Sequence, residues 1–279
     1  MKKIVAVLWH NSANRLNMLQ SQTDEFVCLK VYSAAALSDG RQDLDKLYRD
    51  MDDADAFLFQ VTSSDSAWIE IEEYAEKFET PMIYVGGESA GKIKTKDQMK
   101  HSAICNQFYV YSGAENMVNM MKYICSQVLH EEMDYQEPIF IPWEGIFHPD
   151  SKEIFQSTKD YFAWKEPSGK GTIALLVSRT AWLSGDIEVE RALIKHIEKN
   201  GYTALPIFSY AMADIDLGAK GTAYAIETFC FDGYGQPIVD GVIRMTGFFL
   251  QDTDEYANTS ESSVMSRLNC PIVKPICSY

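Results

Sequence analysis

The sequence predicts an α/β protein of two Rossmann-like or flavodoxin-like lobes, each with a mainly parallel sheet. Apolar, β-rich runs alternate with helix-compatible segments in two rounds along the 279 residues, and such alternation is typical of parallel sheets. This length is also close to the size at which single hydrophobic cores stop growing. A stretch rich in acids, prolines and aromatics separates the two rounds. We therefore expect an N-terminal lobe over residues 1–135, a connecting segment with one helix over 136–170, and a second lobe over 171–279.

The first round contains four predicted strands, separated by polar segments and turns. Helices are expected between and after them, and Ser64-Asp65-Ser66 is a suitable cap for one of them. The predicted strands are residues 3–9, 26–31, 56–61 and 82–85, and the predicted helices are 43–51, 67–78 and 114–129.

A glycine-rich run, residues 86–91, follows the fourth predicted strand. It lacks the G-x-G-x-x-G order and the Lys-Ser/Thr ending of a phosphate-binding loop, so we interpret it as a flexible connection. The lysines at 92, 94, 96 and 100 are expected to form a solvated face.

The second round begins after a Gly/Pro break. Its predicted strands are residues 172–177, 202–209, 241–245 and 271–276, and its predicted helices are 187–200, which stops at Gly201, and 221–231. Another helix is expected within the aromatic stretch 151–164. With no helix after the last strand, the second sheet is expected to be incompletely covered. This predicts that the second lobe is truncated and that the chain is the front part of a longer protein.

Composition excludes several classes of protein. A fraction of 46% hydrophobic with 23% charged residues is that of a globular protein. A net charge of −15 disfavours nucleic acid and anionic membranes as partners. The apolar run after Met1 is too short for a signal peptide, and the sequence has no uncharged stretch near the roughly 18 residues of a membrane span. We expect a cytoplasmic protein without a membrane span.

The metal-binding residue types are scattered. The six cysteines contain no C-x-x-C pair, so we expect reduced thiols that pack as small hydrophobes. The five histidines are scattered along the chain, and no two of them are spaced i, i+4 as in H-E-x-x-H. We therefore assign no metal ligand, no catalytic residue and no bound cofactor to this chain.

Several motifs in the middle of the chain occur in an order that resembles a known family. They are Gly145-Ile146-Phe147-His148-Pro149-Asp150, Tyr161-Phe162-Ala163-Trp164, Ser178-Arg179 with Leu183-Ser184-Gly185-Asp186, and Gly201-Tyr202 with Leu205-Pro206-Ile207-Phe208. Together they resemble the N-terminal region of the cobaltochelatase large subunit, CobN. The H subunit of magnesium chelatase, a related protein, shares this organisation. The resemblance is strong over residues 142–208, moderate over 241–275, and only a general α/β pattern over the first 130 residues.

This resemblance implies a ligase reaction: the ATP-dependent insertion of a divalent metal into a tetrapyrrole. The metal would be cobalt, entering a corrin precursor in cobalamin biosynthesis, or magnesium, entering protoporphyrin. The large subunit would bind the macrocycle, whereas separate AAA-type ATPase and integrin-like subunits would supply ATP turnover. The family reaction uses ATP, Mg and the inserted divalent metal. Family members are several times longer, and the acidic and histidine residues proposed for metal handling lie in their C-terminal portion. The expected partners of this chain are the remainder of the large subunit, those two subunits and the tetrapyrrole, and the chain alone is expected to be inactive.

Two other functions stay open. The chain could be a non-catalytic small-ligand or partner-binding module of two flavodoxin-like lobes. It could also be a complete small enzyme with a cleft between lobes, such as a nucleotide-sugar transferase, although the sequence contains no recognisable catalytic constellation for that.

The polar loop expected at residues 178–186 is the first candidate binding site, because open α/β sheets bind ligands beyond the carboxyl ends of their strands. There Arg179 could bind a carboxylate of the macrocycle, or it could pair with Asp186. Arg244, at the end of another predicted strand, could lie on the same sheet edge. Ser184 and Asp186 are either anion ligands or N-caps of the next helix.

An imidazole and an indole side chain complete the predicted substrate-binding set. His148 could face the metal or the macrocycle, or it could fix a turn by bonding the backbone. Trp182, and with it Trp143, could stack on a flat macrocycle or simply pack in the core.

Overall fold

The computed structural model describes residues 1–60, 67–86, 92–185, 187–246 and 261–275. It divides the chain into two compact units, Met1–Ile141 and Pro142–Tyr279. Each unit contains one sheet with helices packed against it, which confirms the predicted α/β class with mainly parallel sheets.

The first unit is built on a parallel four-stranded sheet. Its strands are β1 (Lys2–Leu8), β2 (Val27–Ser33), β3 (Ala56–Gln60) and β4 (Met82–Val85), in the order β2-β1-β3-β4. The pair β1–β2 is in register over the whole of both strands, from Lys2 opposite Val27 to Leu8 opposite Ser33. Residues 4–8 are all buried, because helices cover both faces of this sheet.

The first unit has a long helix that the sequence pattern did not reveal. The lysine-rich stretch expected to be only a solvated face starts a sixteen-residue helix, in which the Thr95 side chain caps the backbone N–H of Gln98. Its buried face includes Ser102 beside Cys105 and Phe108, so a polar residue interrupts the apolar stripe. The helices are α1 (His10–Met18), α2 (Gln20–Thr23), α3 (Ala34–Ser38), α4 (Leu44–Asp52), α5 (Ala67–Ala75), α6 (Lys96–Tyr111) and α7 (Ala114–Tyr123), which a π-helical turn (Ile124–Val128) extends.

Two predicted features of the first unit lie outside the described residues. These are the cap at Ser64-Asp65-Ser66 and residues 87–91 of the glycine-rich run. The lysines that follow are engaged with α5 and the residue after it: Lys92 Nζ lies 2.6 Å from Glu72 Oε2, and Lys94 forms an ion pair with Glu76.

The second unit is built on a five-stranded sheet in which only the first strand is antiparallel. The strands are β5 (Gly145–Ile146), β6 (Thr172–Ser178), β7 (Thr203–Ser209), β8 (Gly241–Arg244) and β9 (Ile272–Val273), in the order β5-β7-β6-β8-β9. The pair β6–β7 is in register over seven residues, from Thr172 opposite Thr203 to Ser178 opposite Ser209. The helices are α8 (Thr158–Trp164), α9 (Arg179–Ser184), α10 (Glu188–Lys199), α11 (Gly221–Phe229) and α12 (Glu261–Leu268).

The segment expected to connect the lobes belongs to the second unit from Pro142 onward. Its strand β5 pairs with β7, and Tyr161 of α8 donates a hydrogen bond to the carbonyl of Ala204 over 2.7 Å. The helix expected within 151–164 is limited to α8, because Phe155 exchanges two backbone hydrogen bonds of 2.9 Å with Ile146. The unit boundary therefore falls at residues 141 and 142 rather than at a separate connection.

The cysteines pack as expected of small hydrophobes. The five described cysteines have free thiols, and Cys277 lies outside the described residues. Burial raises the pKa of Cys125 to about 11 and that of Cys230 to about 12, so both thiols stay protonated near neutral pH.

Candidate ligand-binding edge of the second sheet

The carboxyl ends of β6 and β8 form the candidate site of the second unit. From β6 the chain leads through α10 to β7 on one side, and from β7 through α11 to β8 on the other. The connections therefore diverge between β6 and β8, and open α/β sheets bind ligands at such a point. Arg179 directly follows β6, and Arg244 closes β8 opposite Leu176, so both arginines lie at this edge.

Arg179 is buried within the unit rather than displayed on a loop. The segment expected to be a polar loop forms the short helix α9, which starts at Arg179 and ends at the left-handed Gly185. The Arg179 side chain is only 3% exposed; its Nε donates to the carbonyl of Pro142 over 2.9 Å. Its guanidinium carbon lies 4.3 Å from the ring centre of Trp143, a cation–π distance. Arg179 thus holds the entering segment 142–143 against the end of β6.

Glu144 completes this arrangement, and the sequence analysis assigned it no role. Its buried Oε1 accepts hydrogen bonds from the backbone N–H groups of Lys220 and Gly221, at 2.9 and 2.8 Å. It thereby caps the start of α11 from 76 residues away, a distance at which no local pattern could reveal it. Burial raises the pKa of Glu144, although the two hydrogen bonds and the positive charges of Lys220 and Arg179 oppose this shift.

Arg244 is buried, more deeply than Ile243 and Met245 on either side of it. Its Nε donates to the hydroxyl of Thr246 over 3.0 Å. The two guanidinium groups are therefore held below the surface of the edge, so they act on a ligand through their charge more readily than through contact.

Ser184 does not have the capping role that we considered. Its hydroxyl donates to the carbonyl of Ala181 within α9, over 2.9 Å, and the residue before α10 is Ile187. For Ser184, the interpretation as an N-cap of the next helix was wrong, because the chain turns into α9 immediately after β6 and Ser184 is the last residue of that helix. Asp186 lies outside the described residues.

The two tryptophans pack against other side chains of the unit, Trp143 buried and Trp182 half-buried. The Trp182 ring stacks on Phe208 with centres 4.0 Å apart and planes 12° from parallel. Trp143 is buried between Arg179 and the ring of Tyr210, whose centre lies 5.5 Å away. Both rings therefore use their faces or edges for protein contacts.

His148 lies away from this edge and fixes a turn. Its Nδ1 accepts from the backbone N–H of Asp150 over 3.2 Å, so Nε2 carries the proton toward Glu198 Oε1, 3.0 Å away. Lys165 Nζ shares the same carboxylate at 2.5 Å. Because Glu198 is in the last turn of α10, which leads to the amino end of β7, His148 is not grouped with Arg179.

A cavity of about 930 Å³ occurs in the first unit at the amino end of β4. Its walls include Met82, Tyr84 and His101, with charged side chains such as Glu79 and Lys100 at its exposed rim. Among the described side chains, no group of three or more His, Cys, Asp or Glu residues is arranged to hold a metal ion. In the same ranges, no helix is both long and apolar enough to cross a membrane.

A family model described as CobN/Magnesium Chelatase matches residues 106–279. The chain belongs to the CobN/magnesium chelatase family. This confirms the resemblance seen in the motifs of the middle region, and the match also includes the whole second unit.

Relatives of this CobN/magnesium chelatase chain are considerably longer. An uncharacterized protein of Methanocaldococcus jannaschii is 26% identical over 286 residues, covering 99% of this chain but 21% of that protein. The H subunit of magnesium chelatase from Chlorobaculum parvum is 27% identical over 162 residues, which are 56% of this chain and 12% of that protein. The chain thus spans about a fifth or less of their lengths.

A solved structure supports the fold over both units. The catalytic subunit of cobaltochelatase from Mycobacterium tuberculosis aligns with 99% of this chain and 21% of its own, at a TM-score of 0.62. Its sequence identity is 14%, so the similarity concerns the fold alone.

Proposed function

We propose that this chain acts as the N-terminal part of the large, tetrapyrrole-binding subunit of an ATP-dependent metal chelatase. The observation that carries the proposal is the family match over residues 106–279, which includes the whole candidate edge of the second sheet. The sequence similarity to H subunits of magnesium chelatase supports the same reaction class.

The proposed reaction inserts a metal ion, as substrate, into the macrocycle. The metal is cobalt for a corrin precursor or magnesium for protoporphyrin. We assign ATP turnover to separate AAA-type and integrin-like subunits, and metal handling to the remainder of the large subunit. Because this chain spans about a fifth of its relatives, its proposed contribution is part of the binding surface, without catalysis of its own.

The charges of the edge fit a macrocycle that bears carboxylates. The chain has a net charge of −15 and would repel such a ligand, but Arg179 and Arg244 place two buried positive charges at the ends of neighbouring strands. The carboxylate of Glu144 offsets part of the charge of Arg179, so Arg244 contributes the larger share. In a low-dielectric setting, such charges attract anionic groups at the surface above them. We propose that they favour this edge for the peripheral carboxylates.

The test is a titration of the 279-residue chain with protoporphyrin and, separately, with a corrin precursor. The main absorption band of each macrocycle is followed. A saturable shift with one of them is expected, and it identifies the macrocycle. The absence of a saturable change with both would overturn macrocycle binding by this chain.

A charge variant sharpens the result. Arg244→Met should weaken binding about tenfold or more, with a smaller effect at high salt, because screening already reduces the attraction. The matched control is Arg267→Met, which removes an exposed arginine of α12 that pairs with Glu227. Equal affinities of the two variants would contradict the proposed role of Arg244.

A further inference from the structure

The β7–α11 loop, residues 210–220, displays apolar side chains at the carboxyl edge of the second sheet. It leaves the end of β7 and returns at the start of α11. Met212 is 49% exposed and Ile215 is 66% exposed. Exposed apolar side chains that are close in sequence, on one loop at a ligand-binding edge, are typical of contact surfaces.

The loop is anchored firmly at both ends. At its start, the backbone N–H of Tyr210 donates to the carbonyl of Trp143 over 3.1 Å. At its end, Glu144 accepts from Lys220 and Gly221. Its two ends are therefore held by the same Trp143–Glu144 segment that packs against Arg179.

The interior of the loop is also ordered by hydrogen bonds. Asp214 and Ala219 exchange two backbone bonds of 2.8 and 3.0 Å, and the hydroxyl of Thr222 lies 3.3 Å from the carbonyls of Tyr210 and Ala211. A Cβ atom on Gly221 would lie 2.7 Å from the backbone nitrogen of Ala213, so this close approach requires glycine. The exposure of Met212 and Ile215 is consequently a property of a well-held loop, as in binding loops carried by a rigid scaffold.

We propose that the β7–α11 loop contacts the tetrapyrrole, with Met212 and Ile215 packed against the face of the ring. This inference rests on the proposed function and assigns the contact surface within it. A thioether and a branched aliphatic side chain suit a flat conjugated ring. The carboxylates at the ring periphery then face the edge that contains Arg179 and Arg244.

The size of the surface favours a small molecule over a protein partner. A stable protein interface buries roughly 800 Å² on each side and involves about 20 residues or more. Two exposed apolar side chains on one short loop provide only a small part of this area by themselves, whereas they match one face of a macrocycle.

The test is macrocycle titration of the double variant Met212→Ser, Ile215→Ser in the full 279-residue chain. Its Kd for the macrocycle that the wild type binds should rise about tenfold or more, since apolar contact area is lost. Its thermal unfolding should match that of the wild type, because both side chains are largely exposed.

The control variant is Tyr234→Ser. Tyr234 is 92% exposed on the turn at the opposite end of α11, so this variant also loses an exposed apolar side chain. We expect it to bind the macrocycle as the wild type does.

The outcomes separate this inference from the proposed function. If the wild type binds and the double variant binds equally well, the loop assignment is overturned and the proposed function stands. If the wild type binds neither macrocycle, both are overturned. Loss of binding to the ATPase subunits, with unchanged macrocycle affinity, would make the loop a protein-docking surface and would also overturn the inference.

Discussion

The two units arrange their parallel strands in the same way but close the carboxyl edges of their sheets with different chemistry. Each places its second strand beside its first, and its third and fourth strands on the other side, as in β2-β1-β3-β4 and β7-β6-β8-β9. In the first unit a neutral amide links the ends of two neighbouring strands at this edge: Gln60, at the end of β3, accepts through Oε1 from the backbone N–H of Trp9, which follows β1. In the second unit a buried carboxylate, Glu144, and a buried guanidinium, Arg179, have this role.

This difference shows how an added segment changes a common arrangement of strands. The second unit has the extra antiparallel strand β5, and the two residues just before it, Trp143 and Glu144, lie at the carboxyl edge. The first unit has no such segment among its described strands, and on the opposite side of its sheet the Ser102 hydroxyl of α6 bonds the outer backbone of β4. The stability of an edge closed by charged groups depends on how those groups pair and on pH, whereas the stability of an edge closed by a neutral amide does not.

The largest expected effect is that of Glu144→Ala. It leaves two backbone N–H groups without their acceptor and removes a negative charge beside Arg179, so unfolding free energy should fall by about 3 kcal/mol. Urea unfolding of the variant measures this, with the exposed Glu153→Ala as the matched control. A loss no larger than that of the control would mean that the second edge does not depend on its carboxylate.

In the first unit, Gln60→Leu should cost about 1.5 kcal/mol in unfolding free energy, because a neutral hydrogen bond to Trp9 is lost. Urea unfolding is again the measurement. Gln127→Leu is the control, since the Gln127 side chain is exposed and bonds its neighbour Ser126. If Gln60→Leu were as damaging as Glu144→Ala, the contrast between neutral and ionised edges would be wrong.

Ser102→Ala tests how the outer edge of β4 is closed. The hydroxyl of Ser102 accepts from the N–H of Tyr84 over 3.0 Å, as a neighbouring strand would. We expect a loss of about 1 kcal/mol and faster hydrogen exchange at the Tyr84 amide. Ser126→Ala should change neither quantity, and unchanged exchange at Tyr84 in the Ser102 variant would contradict this function of α6.

The smallest effect concerns pH. Folding raises the pKa of Glu144 above its ordinary value of 4.5. The stability that Glu144 contributes through this shift is therefore complete below pH 4.5, and it is lost as the pH rises through the folded pKa. The stability of the wild type relative to Glu144→Gln should therefore decline from acidic to neutral pH. Gln60→Leu serves as a pH-independent reference, and a relative stability that increases with pH would show the opposite sign for the Glu144 shift.

Much of the fold could be predicted because apolar runs mark buried parallel strands directly. Residues 82–85 were predicted as they occur, and the strand predicted at 172–177 extends one residue further as β6. Helix α6 was missed because its buried face combines Ser102 with Cys105 and Phe108. Helix α9 was missed because its six residues are too few to show a helical period.

The candidate site was only partly predictable. A strand that ends before Arg179 indicates where the edge lies, and the structure does place Arg179 and Arg244 at the same edge. The partners of Arg179 could not be predicted, because Pro142 lies 37 residues away in the chain and Trp143 is its neighbour. Glu144 was overlooked for the same reason, and so was the loop that it anchors.

The amino-acid sequence by itself determined the class of fold, the family and the order of the strands along the chain. These properties follow from local hydrophobic patterns and from motifs whose residues are close in sequence. Only the tertiary structure decided that Arg179 is buried, that Trp182 stacks on Phe208 and that Glu144 caps α11. Each of these depends on segments brought together by strand pairing, and contacts between segments far apart in the chain have no local sequence pattern.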